Sequence, residues 1–111
     1  MALHHAAPGD IVDLGNAAFV TADAPSIALF KTPEVEVIRR VLHAGQSVPR
    51  HEVDGPLILQ CLAGSVKILA GSSAPMLGAG QLTYLAPAEP YALEAVQDSV
   101  LLMTIVRLAE G

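Results

Sequence analysis

Residues 45–64 read Gly45-Gln46-Ser47-Val48-Pro49-Arg50-His51-Glu52-Val53-Asp54-Gly55-Pro56-Leu57-Ile58-Leu59-Gln60-Cys61-Leu62-Ala63-Gly64. Glycine opens and closes the stretch, and Asp54-Gly55-Pro56 divides it. An Asp-Gly pair tolerates positive φ and the proline after it fixes the exit, so the centre is a tight turn. Before the turn, Ser47 to Val53 is extended around Pro49, which has no amide to donate and suits an edge or irregular strand. After it, Leu57 to Leu62 is a strand in which residues 57, 59 and 61 share one side. The reading is strand, turn, strand, turn, and His51 is the only histidine that falls inside a strand-like pattern.

The same punctuation continues outward in both directions. Toward the N-terminus, Glu34 to His43 is the longest strand candidate and is rich in β-branched residues. Its alternation breaks at Ile38, which points to a bulge. Ser26 to Lys31 is a further strand, stopped by Thr32-Pro33, and shorter apolar runs at Asp10–Leu14 and Ala17–Thr21 read as two more. Toward the C-terminus the strands are Ser65–Ala70, Met76-Leu77, Gln81–Leu85, Tyr91–Ala95 and Ser99–Leu108. Loops rich in Gly, Pro, Asp and Ser separate them. Nothing sustains a 3.6-residue period, so the fold class is all-β, a sandwich or a barrel.

The chain of 111 residues makes one domain. Hydrophobic residues are 52% and charged residues 15%, against roughly 25% charged in ordinary domains. So little charge leaves apolar surface uncovered, and a homodimer is expected to bury it. A net charge of −5 with 4% aromatics gives neither the positive footprint nor the stacking platforms of nucleic-acid binding. No apolar run is long enough to cross a membrane as a helix, and residues 1–10 lack a basic start followed by an apolar core. Cys61 is the single cysteine, which excludes an internal disulfide and fits a cytoplasmic setting.

The two glycine-bounded segments resemble the two motifs of the cupin superfamily. The first family motif is Gly, five residues, His-x-His, three or four residues, Glu, six residues, Gly. Gly45, His51 and Gly64 stand at its spacing. The second is Gly, a strand, then Pro-x-Gly-x-x-His, and Gly80 followed by Gln-Leu-Thr-Tyr-Leu-Ala and Pro87-Ala88-Glu89-Pro90-Tyr91 resembles it. The resemblance implies a single cupin-type double-stranded β-helix, an RmlC-like jelly-roll barrel, over residues 34–108. Residues 1–33 are then an N-terminal arm with short strands packing on the barrel.

The departures fall on the metal ligands. The second His of the family pattern falls on Val53, the Glu on Leu57 and the last His on Tyr91, in a loop one residue short. Only His51 is retained. A tight divalent site needs three or four N, O or S donors at roughly 2.0–2.3 Å, and Val and Leu offer none. Hence no cofactor is expected, and a lone imidazole at His51 would hold a metal only weakly, even with Tyr91 and Cys61 as further donors.

If Leu57 takes the inward ligand position, Leu59 and Cys61 also face inward. The expected pocket comprises His51, Val53, Leu57, Leu59, Cys61, Tyr91 and Leu93, mainly apolar with a few polar handles, as small-molecule sites are. Arg39 and Arg40 are adjacent, so one faces each way. An inward arginine would anchor a carboxylate, and a surface one would pair with Glu34 or Glu36. The leading reading is a metal-free binder of a small molecule. The alternatives are a metal-dependent dioxygenase or isomerase with an atypical ligand set, and a metal-independent enzyme with His51 as general acid or base and Tyr91 beside it. A structural module acting through an apolar dimer face completes the set.

Overall fold

The computed structural model describes residues 6–14, 26–51, 55–87 and 89–107. Nine strands are described: β1 (Ile27–Lys31), β2 (Val35–Leu42), β3 (Ser47–His51), β4 (Leu57–Ala63), β5 (Ser65–Ala70), β6 (Met76–Gly78), β7 (Leu82–Leu85), β8 (Tyr91–Ala95) and β9 (Ser99–Val106). They form two antiparallel sheets, one ordered β1-β2-β9-β4-β7 and the other β3-β8-β5-β6. Consecutive strands cross repeatedly between the sheets, β2 to β3, β4 to β5, β6 to β7 and β8 to β9. That exchange is the jelly-roll winding expected from the sequence.

Alternation along the strands places the core between the sheets. Leu57, Leu59 and Cys61 of β4 are fully buried while Ile58 is exposed. In register with them, Ile105, Met103 and Leu101 of β9 face the same way. From the other sheet Val66, Ile68, Tyr91, Leu93 and Ala95 join the same buried cluster. Burying a side chain of this size stabilises by about 1.5–3 kcal/mol, so this double layer is the main source of stability.

Several local expectations are corrected. Asp10–Leu14 is not a strand: Ile11 is 95% exposed, and the segment begins with a turn in which the Ala7 amide donates to the Asp10 carboxylate at 2.8 Å. A β-branched pair with no sheet to pack on has nothing to hold it extended. The Ala17–Thr21 run lies outside the described residues. The irregularity expected at Ile38 is on the neighbouring strand: β2 pairs with β9 without a break from Val35↔Val106 to Leu42↔Ser99, and the register shift lies in β1 between Ala28 and Phe30. The alternation of β2 looked broken because both of its faces carry apolar and charged residues. Gly55, read as a positive-φ turn residue, is not in that conformation. It is needed for space, since a Cβ there would sit 1.5 Å from the Val106 carbonyl oxygen.

Candidate functional site

The residues singled out by the sequence come from β3, β4 and β8. β3 ends at His51, whose backbone pairs with Tyr91 at the start of β8. β8 in turn pairs with β5, Tyr91 opposite Ala70 and Leu93 opposite Ile68. Val53 lies outside the described residues, and so does the side chain of His51. The structure therefore gives the position of His51 on the sheet and nothing of what its imidazole touches.

The other five residues belong to one buried cluster. Leu57, Leu59, Cys61 and Leu93 have no exposed surface and Tyr91 is 1% exposed. Leu57 lies between Ile105 and Leu85 on its neighbouring strands, and Leu59 between Met103 and Thr83. The wall at the family's glutamate position is hydrocarbon. Among the described residues no three His, Cys, Asp or Glu side chains converge as a metal site would require.

Cys61 and Tyr91 are the polar atoms of this wall. The Cys61 thiol is turned along its own strand and donates to the Ala63 carbonyl at 3.2 Å. Burial pushes its pKa up, and the hydrogen bond to Ala63 only partly offsets this. It is a buried thiol whose burial favours the protonated form, and no charge of a described residue lowers its pKa. Burial also raises the pKa of Tyr91, and the positive charge of Arg40 pulls in the opposite direction. Cys61 and Tyr91 are two potential donors on this wall, fewer than the three or four that a tight divalent site draws together.

The register answers which of the paired arginines faces inward. Arg40 pairs with Leu101 and Arg39 with Leu102 on β9. Leu101 is a fully buried member of the core cluster, so Arg40 shares the inner face with Ile38 and Leu42, while Arg39 faces out. Glu36, the acid expected to pair with one of them, is held instead by Arg107. His43 follows β2 directly and has its Nδ1 4.0 Å from a carboxylate oxygen of Asp98.

A separate hollow of about 440 Å³ opens at the seam where the free edges of the sheets, β6 and β7, face one another. Ile68, Pro75, Met76, Leu77, Gln81, Leu82 and Thr83 line it. The Gln81 side-chain oxygen is occupied by the Gly78 amide at 2.8 Å. No ionisable side chain lines the hollow, so it offers packing and no acid–base chemistry. It was missed in the sequence because β6 and β7, though consecutive in the chain, end as free edges of different sheets, and only the strand order assigns that.

No protein-family model matches the chain, and no curated protein resembles it significantly in sequence. Solved structures do resemble it in fold. A conserved protein of unknown function from Streptococcus pyogenes superposes with a TM-score of 0.82 at 21% identity, covering 99% of this chain and 97% of its own. A cupin superfamily protein from Desulfitobacterium hafniense gives 0.79 at 16% identity, covering 96% and 98%. An RmlC-like cupin from Desulfovibrio desulfuricans gives 0.67 at 21% identity, covering 96% of each chain. The fold is therefore that of a small cupin domain, an all-β RmlC-like barrel.

Proposed function

We propose that this cupin-fold protein is a metal-free binder of a small, mainly apolar molecule. The ligand is taken at the end of the barrel where the backbones of His51 and Tyr91 pair, with Leu57, Leu59, Cys61 and Leu93 as its apolar floor. The observation that carries the reading is Leu57. At the position where the family pattern has a glutamate, a fully buried hydrocarbon side chain is packed between Ile105 and Leu85. A carboxylate there would be a ligand, whereas a leucine is a contact for apolar atoms. Elemental analysis of untagged protein tests the reading. Iron, manganese, nickel or zinc at near-stoichiometric level, lost in His51→Ala, would overturn it in favour of a metal enzyme.

We also propose that the protein is a homodimer, of cytoplasmic setting as its single buried cysteine suits. The outer face of β2, β9, β4 and β7 supports this. It presents Val37, Leu102, Ile58, Leu82 and Tyr84, and Arg39 is its only charged residue among the described strands. Leu82 is 64% and Tyr84 59% exposed. Antiparallel sheets that meet water on one face ordinarily carry polar residues there. Arg39 Nε is also buried and has no hydrogen-bond partner among the described residues.

A further inference from the structure

We infer that two copies of this chain join through β7, the two strands pairing antiparallel about a two-fold axis at Thr83 so that the larger sheets run on as one. The inference rests on the homodimer reading above, and it names where the two copies meet.

Among the described strands four end a sheet, and three of these edges are blunted. β1 shifts register between Ala28 and Phe30, and its Leu29 carbonyl accepts the Ala6 amide at 2.8 Å. β3 contains Pro49 and shifts register between Val48 and His51. β6 has three residues, and the amide and carbonyl of its Gly78 are both taken by Gln81. β7 carries no proline and no charge, and it pairs with β4 without a break. An edge without such features is a template for another strand. The hollow beside β6 opens on the same edge, which leaves room for that strand.

The ladder fixes which groups β7 presents. The Cys61 amide donates to the Gln81 carbonyl at 2.9 Å, so by antiparallel alternation Thr83 and Leu85 also bond to β4. The amides and carbonyls of Leu82 and Tyr84 then point away from β4, along the edge. Those four groups are self-complementary. With Thr83 opposite the partner's Thr83, each Leu82 lies opposite the partner's Tyr84, and four hydrogen bonds form. The side chains of those pairs, aliphatic against aromatic, also favour one another. The contact is isologous, so a second copy supplies every group it needs.

Charge and exposure favour the same occupant. Copies with a net charge of −5 repel, and residues 68–88 hold no Asp, Glu, Lys or Arg, the longest such run in the chain. On the outer face of the larger sheet Val41 and Val100 are buried and Val37 and Leu102 half-buried. Exposure gathers at the β7 margin, on Leu82 and Tyr84.

The test is a crosslink in the full chain. Thr83→Cys and Tyr84→Cys are each made beside Cys61→Ala and oxidised with diamide at micromolar concentration. The two Thr83 positions form a non-hydrogen-bonded pair, whose Cα atoms lie about 4.5 Å apart, within the reach of a disulfide. Thr83→Cys is expected to give a disulfide-linked dimer. Tyr84→Cys, two residues out of register with its own copy, is expected to link on the order of tenfold more slowly. Thr83 shares the inner side of the sheet with Leu59, so copies packed through their outer faces would leave it unlinked. Leu82→Pro removes an edge amide from each copy while the bonds from β7 to β4 remain, and it should weaken the dimer on the order of tenfold or more. A wild-type dimer by sedimentation whose Thr83→Cys form does not link would overturn the β7 contact and leave the homodimer standing. A folded Leu82→Pro protein that dimerises undiminished would do the same. A wild-type monomer would end both readings. The crosslink decides even if Leu82→Pro does not fold.

Discussion

A Cβ placed on Gly64 would lie 2.3 Å from the Ser99 hydroxyl oxygen. The two residues share the corner where β4 turns into β5 and β9 begins. Ser99 is fully buried there. Its hydroxyl accepts the Ser65 amide at 3.1 Å and donates to the Gln97 carbonyl at 2.8 Å. The glycine that closes the first motif is thus required twice, by its φ of +83° and by the close approach of the Asp98–Ser99 backbone.

Gly64→Ala is therefore expected to destabilise by about 3 kcal/mol or more, since strain and overpacking act together. Ser99→Ala alone costs about 1 kcal/mol, because it leaves the half-buried Ser65 amide without its acceptor. Combining the two does not rescue the fold: the Asp98 carbonyl oxygen still stands 2.3 Å from the new Cβ. Urea unfolding of the two single variants and the double variant checks this. A double variant more stable than Gly64→Ala would show that the hydroxyl, not the backbone, sets the requirement.

The thiol of Cys61 is expected to be inert in the native state. It has no exposed surface and its pKa is raised by burial, so the reactive thiolate is scarce and unreachable. Iodoacetamide at pH 8 should label the unfolded protein fully and the folded protein only at the rate of global opening. Fast labelling of the folded chain would mean that the barrel interior is open to small reagents at β4.

Stability should fall on the alkaline side. Cys61 and Tyr91 both have folded pKa values above their ordinary 9.0 and 10.0. In that range the unfolded chain releases protons that the folded chain retains, so stability decreases as pH rises. The contribution is fully present below about pH 9 and is lost as pH climbs from there through the folded values. Urea midpoints between pH 8 and 11 measure the slope, which Cys61→Ala and Tyr91→Phe should each reduce.

These residues also show which features the sequence displays. The bounds of β8 are those read from Pro90 before it and Gln97-Asp98 after it, because proline and turn residues stop a strand by local chemistry. The inward parity of Leu57, Leu59 and Cys61 was legible for the same reason: side chains of one strand alternate whatever it packs on. Arg40 was not legible, since two adjacent arginines on a strand of mixed faces give no parity. Only pairing with β9 assigns them. Nor was the strand-like appearance of Asp10–Leu14 reliable, because β propensity describes fit to a sheet and Ile11 has none to fit.

If the apolar outer face meets a second copy, a single charge on its β4–β7 side should separate the two. Ile58 and Tyr84 are direct cross-strand partners on that face. Tyr84→Lys puts a cation where the partner's apolar atoms would lie, and exposed positions accept such a change with little effect on the fold, within about 0.5 kcal/mol. Sedimentation velocity at micromolar concentration should give a dimer for the wild-type protein and a shift to monomer for the variant. A wild-type monomer would end the dimer reading and leave the exposed face unexplained by self-association.

The last prediction concerns Leu57, at the position where the cupin pattern has a glutamate. Leu57→Glu puts a carboxylate in a place without exposed surface, between Ile105 and Leu85. A carboxylate there is desolvated, so its folded pKa rises above the ordinary 4.3 or so. Stability of the variant is then best at low pH, where the group is protonated in both states, and is lost as pH rises through the raised folded pKa. At pH 8 it should be about 3 kcal/mol or more below wild type, with part of the deficit recovered near pH 5. A variant as stable as wild type at pH 8 would mean that the carboxylate finds water or a cation inside the barrel. Arg40 would be the first group to test for that role, by adding Arg40→Met to the same variant.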